Sequence, residues 1–115
     1  INVSSEGVEL NFPLMSVYQA SKAGLERFTT ALYRELDPRG IRVSFVRAGA
    51  MMEEGKAWNV DPVLAARFAA EAAAAGLNLR GRPVSQFTSA TQVFRSLIDL
   101  PPDIHALGIT LFGRG

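Results

Sequence analysis

Two hydrophobic periods organise the first half of the chain. Ile1, Asn2 and Val3 run into Ser4 and Ser5 as a short β-favouring stretch, and a loop bounded by Gly7 and Pro13 follows. Leu25, Phe28, Leu32 and Leu36 then recur at helical spacing until Asp37, Pro38 and Gly40 stop the pattern. A helix is therefore predicted from Ser16 to Asp37, with Ser16 and Gln19 read as a capping box. Beyond it, Ile41, Val43 and Phe45 alternate with Arg42 and Ser44 before Val46, which predicts a second strand ending near Ala48 and Gly49.

In the second half, Gly55 and Trp58 fall in an irregular stretch before Asp61 and Pro62, an N-cap and first-position pair that opens an alanine-rich helix closed by Gly76. The run of alanines from Ala69 to Ala75 is expected to pack one face closely. Asn78 to Val84 reads as loop. Ser89 and Gln92 resemble a second capping box, and Ala90, Val93, Phe94, Leu97 and Ile98 form an amphipathic helical stripe ended by Pro101 and Pro102. Ile109 to Phe112 is a last short strand. Strand, helix, strand, two helices, strand, without an internal repeat, predicts an α/β architecture with parallel strands and right-handed crossovers.

Length and composition narrow the function classes. A chain of 115 residues is one domain at most, and it is short for an enzyme that must also hold a dinucleotide. With 48% hydrophobic and 20% charged residues and a net charge of +1, it belongs with ordinary globular chains. Arg80, Arg82 and Arg95 are interspersed with acids, so they read as solvated surface, and no nucleic-acid partner is expected. The absence of cysteine excludes disulfides and thiolate metal sites, and the single histidine, His105, leaves no histidine pair for a metal; it reads as a surface residue. No apolar run approaches the roughly 18 residues of a spanning helix, so no membrane partner is expected and the cytoplasm is the expected location. The chain opens on Ile1, with what reads as a buried strand and nothing before it, so an N-terminal portion is expected to be missing.

In an open parallel sheet, ligands bind beyond the carboxyl ends of the strands. That rule selects Ser5 at the end of the first strand, Tyr18 in the first turn of the following helix, and Ala48 with Gly49 at the end of the second strand. Tyr18 and Lys22 are four residues apart and share a helix face. A nearby ammonium and the positive end of a helix both favour a phenolate, the form that a phenol needs to accept a proton. Taken alone, a tyrosine and lysine at this spacing equally suit a wet helix face, so the residues by themselves leave the two readings at parity.

The run Tyr18, Gln19, Ala20, Ser21, Lys22 resembles the Tyr-x-x-x-Lys motif of the short-chain dehydrogenase/reductase family, including its usual serine before the lysine. Ser5 stands thirteen residues before Tyr18, a spacing common for that family's catalytic serine, and Asn2 to Ser5 resembles the strand that carries it. The resemblance continues through Glu35 and from Gly40 to Gly49, and more loosely after Gly55. It implies a Rossmann-like three-layer αβα fold with a parallel sheet, of which this chain holds the C-terminal half and about three strands.

By the same resemblance the parent is an NAD- or NADP-dependent oxidoreductase acting on a small alcohol or carbonyl. Tyr18 is its general acid/base, Lys22 favours the phenolate and binds the nicotinamide ribose, and Ser5 hydrogen-bonds the substrate oxygen. Two positions depart from the family pattern. Ala48 and Gly49 stand where Pro-Gly is usual, and Glu53 replaces a frequent threonine, which leaves backbone amides near Ala48, Gly49 and Met51 to meet the carboxamide. The glycine-rich phosphate loop belongs to the portion not present, so the 115 residues alone are expected to be inactive. Trp58 and Met52 lie where the family has a mobile substrate loop, and Glu53 with Glu54 reads as solvated loop acids. The helix from Ser16 to Asp37 implies a homo-oligomer, a dimer or tetramer. Two alternatives are a non-catalytic member serving as a binding or assembly module, which retention of Ser5, Tyr18 and Lys22 argues against, and an extended-branch sugar epimerase, which fits the serine-to-tyrosine spacing less well.

Overall fold

A computed structural model describes residues 1–57 and 59–115; Trp58 lies outside the described residues. Strand β1 (Asn2–Ser5), helix α1 (Ser16–Leu36) and strand β2 (Phe45–Ala48) come first in the chain. Strand β3 (Met51–Met52), helix α2 (Pro62–Ala74), strand β4 (Ser85–Gln86), helix α3 (Phe87–Ile98) and strand β5 (Gly108–Leu111) follow. The three longer strands form one parallel sheet in the order β1-β2-β5, with Ser5 opposite Ala48 and Ala48 opposite Leu111. This is the α/β, parallel-sheet architecture expected from the alternation of periods.

A second parallel pair joins β3 to β4, with Met51 opposite Ser85. It has no counterpart among the predicted elements, because two-residue strands carry no periodicity of their own. Its effect is to bring residues 51–53 and 82–87 together beyond the carboxyl end of β2.

Helix α1 ends where Asp37, Pro38 and Gly40 require. Gly40 adopts φ 73°, the left-handed conformation that glycine takes without a Cβ penalty, and its N–H bonds to the Asp37 carbonyl. The start of the helix differs from the capping box read there. Met15 is the N-cap and no side chain caps the helix; Ser16 is already helical, and the Gln19 amide reaches outward to the Leu10 carbonyl at 2.5 Å. The box at Ser89 is displaced likewise, since α3 begins at Phe87 and Gln86 is its N-cap. Asp61 does cap α2, its carboxylate accepting from the Val63 and Leu64 amides at 2.9 and 3.0 Å. In α2 only Ala72 of the alanine run is buried, so the closely packed face is narrow.

Strand β2 begins at Phe45, later than the alternation from Ile41 suggests. The Arg42 guanidinium is drawn instead to the end of α3, donating to the Leu100 and Ile98 carbonyls at 2.7 and 2.9 Å. Those carbonyls lie at a helix terminus that lacks intrahelical donors. Strand β5 sits one residue earlier than Ile109–Phe112.

The face that α1 turns to the sheet is polar. Glu26 and Thr29 are its buried residues, whereas Phe28 of the apolar repeat is 56% exposed. Asn2 donates to Thr29 Oγ1 at 2.9 Å, and Ser4 donates to Glu26 Oε1 at 2.5 Å. Arg47 of β2 closes on the Glu26 carboxylate with two bonds, Nε at 2.9 Å and Nη2 at 2.6 Å, and also pairs with Glu9. The helix is thus docked on β1 and β2 by a bidentate ion pair and two hydroxyl contacts, in addition to apolar burial.

His105 is half-buried, contrary to its reading as a surface residue. Its Nε2 meets the Val43 carbonyl at 2.9 Å and its ring packs on Tyr33 with centroids 4.3 Å apart. The chain after Pro101 and Pro102 runs beside β2 into β5, which sets His105 against Val43. Among the described residues the buried apolar ones are few, Val43, Val46, Ala72, Ala90 and Leu97. The radius of gyration of 16.3 Å exceeds the roughly 13 Å of a compact domain of this length, so the body is elongated with a thin core. Among the described residues no helix is long and apolar enough to cross a membrane.

Candidate active site at the carboxyl edge of the sheet

Ser5, Tyr18, Lys22, Ala48, Gly49 and Met51 all line one cleft of about 880 Å³ at the carboxyl ends of β1 and β2. Each reaches it by a different local route. Ser5 closes β1 in extended conformation and caps the 3-10 turn Glu6–Val8, its Oγ accepting from the Gly7 amide at 3.1 Å. Because Oγ is used there as an acceptor, its proton remains available for donation into the cleft.

Tyr18 and Lys22 lie on successive turns of α1, with the Lys22 ammonium 5.8 Å from the Tyr18 ring centroid. Among the described residues the Tyr18 hydroxyl has no hydrogen-bond partner within the protein. Lys22 is fixed by the sheet itself. In a parallel ladder the backbone groups of alternate residues point to opposite edges; the Asn2 amide bonds across to Ser44, so the Val3 carbonyl points to the other edge of β1, which pairs with no described strand. Lys22 Nζ donates to that carbonyl at 2.9 Å, and among the described residues its other two donors have no partner.

Gly49 is required by a close approach. A Cβ at this position would lie 2.6 Å from the Leu111 carbonyl oxygen, so only glycine lets the end of β2 lie against β5 here. Gly49 N–H bonds to that same carbonyl at 2.9 Å. The neighbouring Ala48 and Ala50 keep this wall of the cleft low. Met52 also lines the cleft, with Phe12, Phe68 and Phe87 forming its apolar wall. Glu53 borders it too as an exposed loop acid, paired at the surface with Lys56 at 2.9 Å.

Two charged residues of the site escape sequence reasoning. Glu6, directly after Ser5, is buried and forms an ion pair with Arg82, which was read as solvated surface. The chain separation of 76 residues hides the pair, and the β3–β4 ladder, itself invisible in the pattern, closes it. The acid placed immediately beyond the serine was the one available signal. Glu26, one turn further along α1 from Lys22, and Arg47 of β2 form the other unanticipated pair. Arg47 holds the Glu26 carboxyl below its ordinary value through their hydrogen bond, against the opposing effect of burial and with help from Ser4 and the Arg47 charge.

Fold and site together define an open parallel α/β protein in which a serine, a tyrosine and a lysine face one cleft beyond the strand ends. Residues 1–59, just over half of the chain, match the short chain dehydrogenase family, and the chain belongs to that family, whose members are NAD(P)-dependent oxidoreductases. Two solved structures share the fold. One is a closed form of serine dehydrogenase complexed with NADP+, with a TM-score of 0.70 and 15% identity. The other is a short chain dehydrogenase from Burkholderia cenocepacia in complex with NADP, with a TM-score of 0.58 and 24% identity. In both cases 96% of this chain is covered, and it spans 42% of the neighbour's length.

Proposed function

We propose that this chain is the C-terminal, catalytic portion of a single Rossmann-type domain, and that the whole protein interconverts an alcohol and a carbonyl using NAD or NADP. The observation that carries the reading is the convergence of Ser5, Tyr18 and Lys22 on one cleft, with the lysine ammonium beside the tyrosine ring. When bound, the nicotinamide supplies or accepts the hydride. Tyr18 gives a proton to the carbonyl oxygen during reduction and takes it back during oxidation. Ser5 donates its free hydroxyl proton to the same oxygen and stabilises the charge that develops there. Lys22, anchored by one N–H to Val3, has two donors left for the ribose hydroxyls and places its charge where it favours the phenolate.

The donor set suits the nicotinamide-ribose end of such a cofactor. Tyr18 and Lys22 would hold the ribose, and the low wall at Ala48 and Gly49, with Met51 beyond it, leaves room for the ring and carboxamide. No glycine-rich phosphate loop occurs in these residues, so the pyrophosphate site is assigned to a further portion of the protein. The thin core and the open edge of β1 support the same division, and the isolated 115 residues are expected to show neither turnover nor saturable cofactor binding. The cytoplasm is the proposed compartment. Val17, at 83% exposure, and Phe28 give α1 an exposed apolar face apart from the polar one it turns to the sheet, which supports a dimer or tetramer built on this helix.

Steady-state kinetics of the full-length protein with NAD(P)H fluorescence titration test the assignment. Tyr18→Phe is expected to lose nearly all turnover and keep cofactor affinity, Lys22→Ala to lose both, and Ser5→Ala to lose turnover with a smaller effect on cofactor binding. Equal loss of cofactor affinity in all three variants would contradict these roles.

A further inference from the structure

One ion pair in the cleft takes no part in the proton and hydride chemistry. Arg82 reaches back to Glu6, the residue after Ser5, and the two side chains form a wall shared by the main cleft and a second cavity of about 420 Å³. The guanidinium is fixed in two ways: Nη2 bonds to Glu6 Oε2, and the group sits 5.7 Å from the centroid of the Phe12 ring. Among the described residues Nε and Nη1 make no hydrogen bond. What remains is one free edge of a planar fork, held rigid by its other contacts and bordering the cleft that holds Ser5, Tyr18 and Lys22.

We propose that Arg82 binds a carboxylate of the substrate, so that the protein acts on hydroxy or oxo acids that carry an apolar substituent. The proposal rests on the oxidoreductase reading and specifies its substrate class. A guanidinium edge with parallel N–H donors matches a planar carboxylate bidentately, which an ammonium does not. Glu6 already balances the Arg82 charge, so an anion is recognised there by hydrogen-bond geometry more than by net charge, and planar acids are favoured over spherical anions. Ser5, Glu6 and Arg82 line the same cleft, which places the fork in the pocket that receives the reacting oxygen. The cleft's charged side chains leave a positive excess, with Lys22, Lys56 and Arg82 facing Glu6 and Glu53. Phe12 and Phe68, with ring centroids 6.2 Å apart, supply an apolar wall for the rest of the substrate.

The test measures kcat/KM of the full-length protein for matched pairs, an aryl 2-oxo acid and a 3-hydroxy acid, each against its methyl ester. The acid is expected to exceed its ester by about 10- to 100-fold, chiefly through KM, which is the range of a lost charge-assisted hydrogen bond. In the double variant Glu6→Gln/Arg82→Gln, which leaves no unpaired buried charge, that ratio is expected to fall to about one. Should this variant fail to fold by circular dichroism, Arg82→Lys decides, since it keeps the charge and loses the fork: a lowered ratio supports the proposal and an unchanged one overturns it. Esters turned over as well as acids by the wild type would also overturn it while leaving the oxidoreductase reading intact. No turnover of any alcohol or carbonyl, acid or neutral, would remove that reading and this proposal together.

Discussion

Replacing Arg47 with methionine removes the guanidinium that bridges Glu26 to Glu9 while keeping much of the side chain's volume. The Glu26 and Arg47 side chains are only 11% and 15% exposed, and among the described residues the variant leaves the Glu26 carboxylate with the Ser4 hydroxyl as its one remaining partner. Stranding one member of a buried pair costs about 3–5 kcal/mol. The Glu9 arm adds little, because its carboxylate is 62% exposed and such pairs contribute about 0–1 kcal/mol. The double variant Arg47→Met/Glu26→Met strands only the buried Ser4 hydroxyl, at about 1–3 kcal/mol, so it is expected to be more stable than the single one. Urea denaturation of the full-length protein at pH 7 gives both values.

The pH dependence adds a second signature. In the folded wild type the Glu26 carboxyl is held below its ordinary 4.5, so its stabilisation is complete above that value and is lost as the pH falls through the depressed one. Without Arg47, burial outweighs the Ser4 bond and raises the folded value, so the variant gains stability as the carboxyl protonates. The gap between wild type and Arg47→Met is therefore expected to narrow on acidification. A single variant within about 0.5 kcal/mol of wild type, as for an ordinary surface position, or a gap that widens in acid, would refute the reasoning.

Two further outcomes follow from the packing. Gly49→Ala sets a Cβ 2.6 Å from a backbone oxygen of β5 at the floor of the cleft, so about 1–3 kcal/mol of stability and most of the activity are expected to go; urea titration and kinetics showing neither change would contradict the close approach. Phe28→Asp is expected to shift the full-length protein toward monomer in light scattering, and an unchanged mass would contradict an interface on that face of α1.

The parts of this fold that could be read in the sequence are those governed by local rules. Asp37, Pro38 and Gly40 end α1, and Asp61 with Pro62 starts α2, because caps and φ restrictions act within a few residues. Ser5, Tyr18 and Lys22 stand out as candidates for a different reason, the family motif they match, since spacing and the position of strand ends alone leave their role open. The capping boxes at Ser16 and Ser89 misled because both serines already lie within their helices, and the Gln19 side chain finds a better partner nine residues back at Leu10. The docking of α1 was hidden more deeply. Hydrophobic periodicity points to Leu25, Phe28, Leu32 and Leu36, whereas the face that meets the sheet carries Lys22 and the buried Glu26 and Thr29, whose polar groups find partners on other elements. Glu6 and Arg82 are concealed in the same way: each reads as an ordinary surface charge until the chain brings the two together.

The central claim, proton transfer by Tyr18 coupled to hydride transfer, is tested most directly by isotope transfer. The full-length protein is incubated with NAD(P)H deuterated at both C4 positions and a carbonyl substrate, and the product alcohol is analysed by mass spectrometry. Deuterium is expected on the carbinol carbon in the wild type and nearly none in Tyr18→Phe with cofactor still bound; unlabelled alcohol, or a Tyr18→Phe variant that transfers deuterium at close to the wild-type rate, would contradict the mechanism.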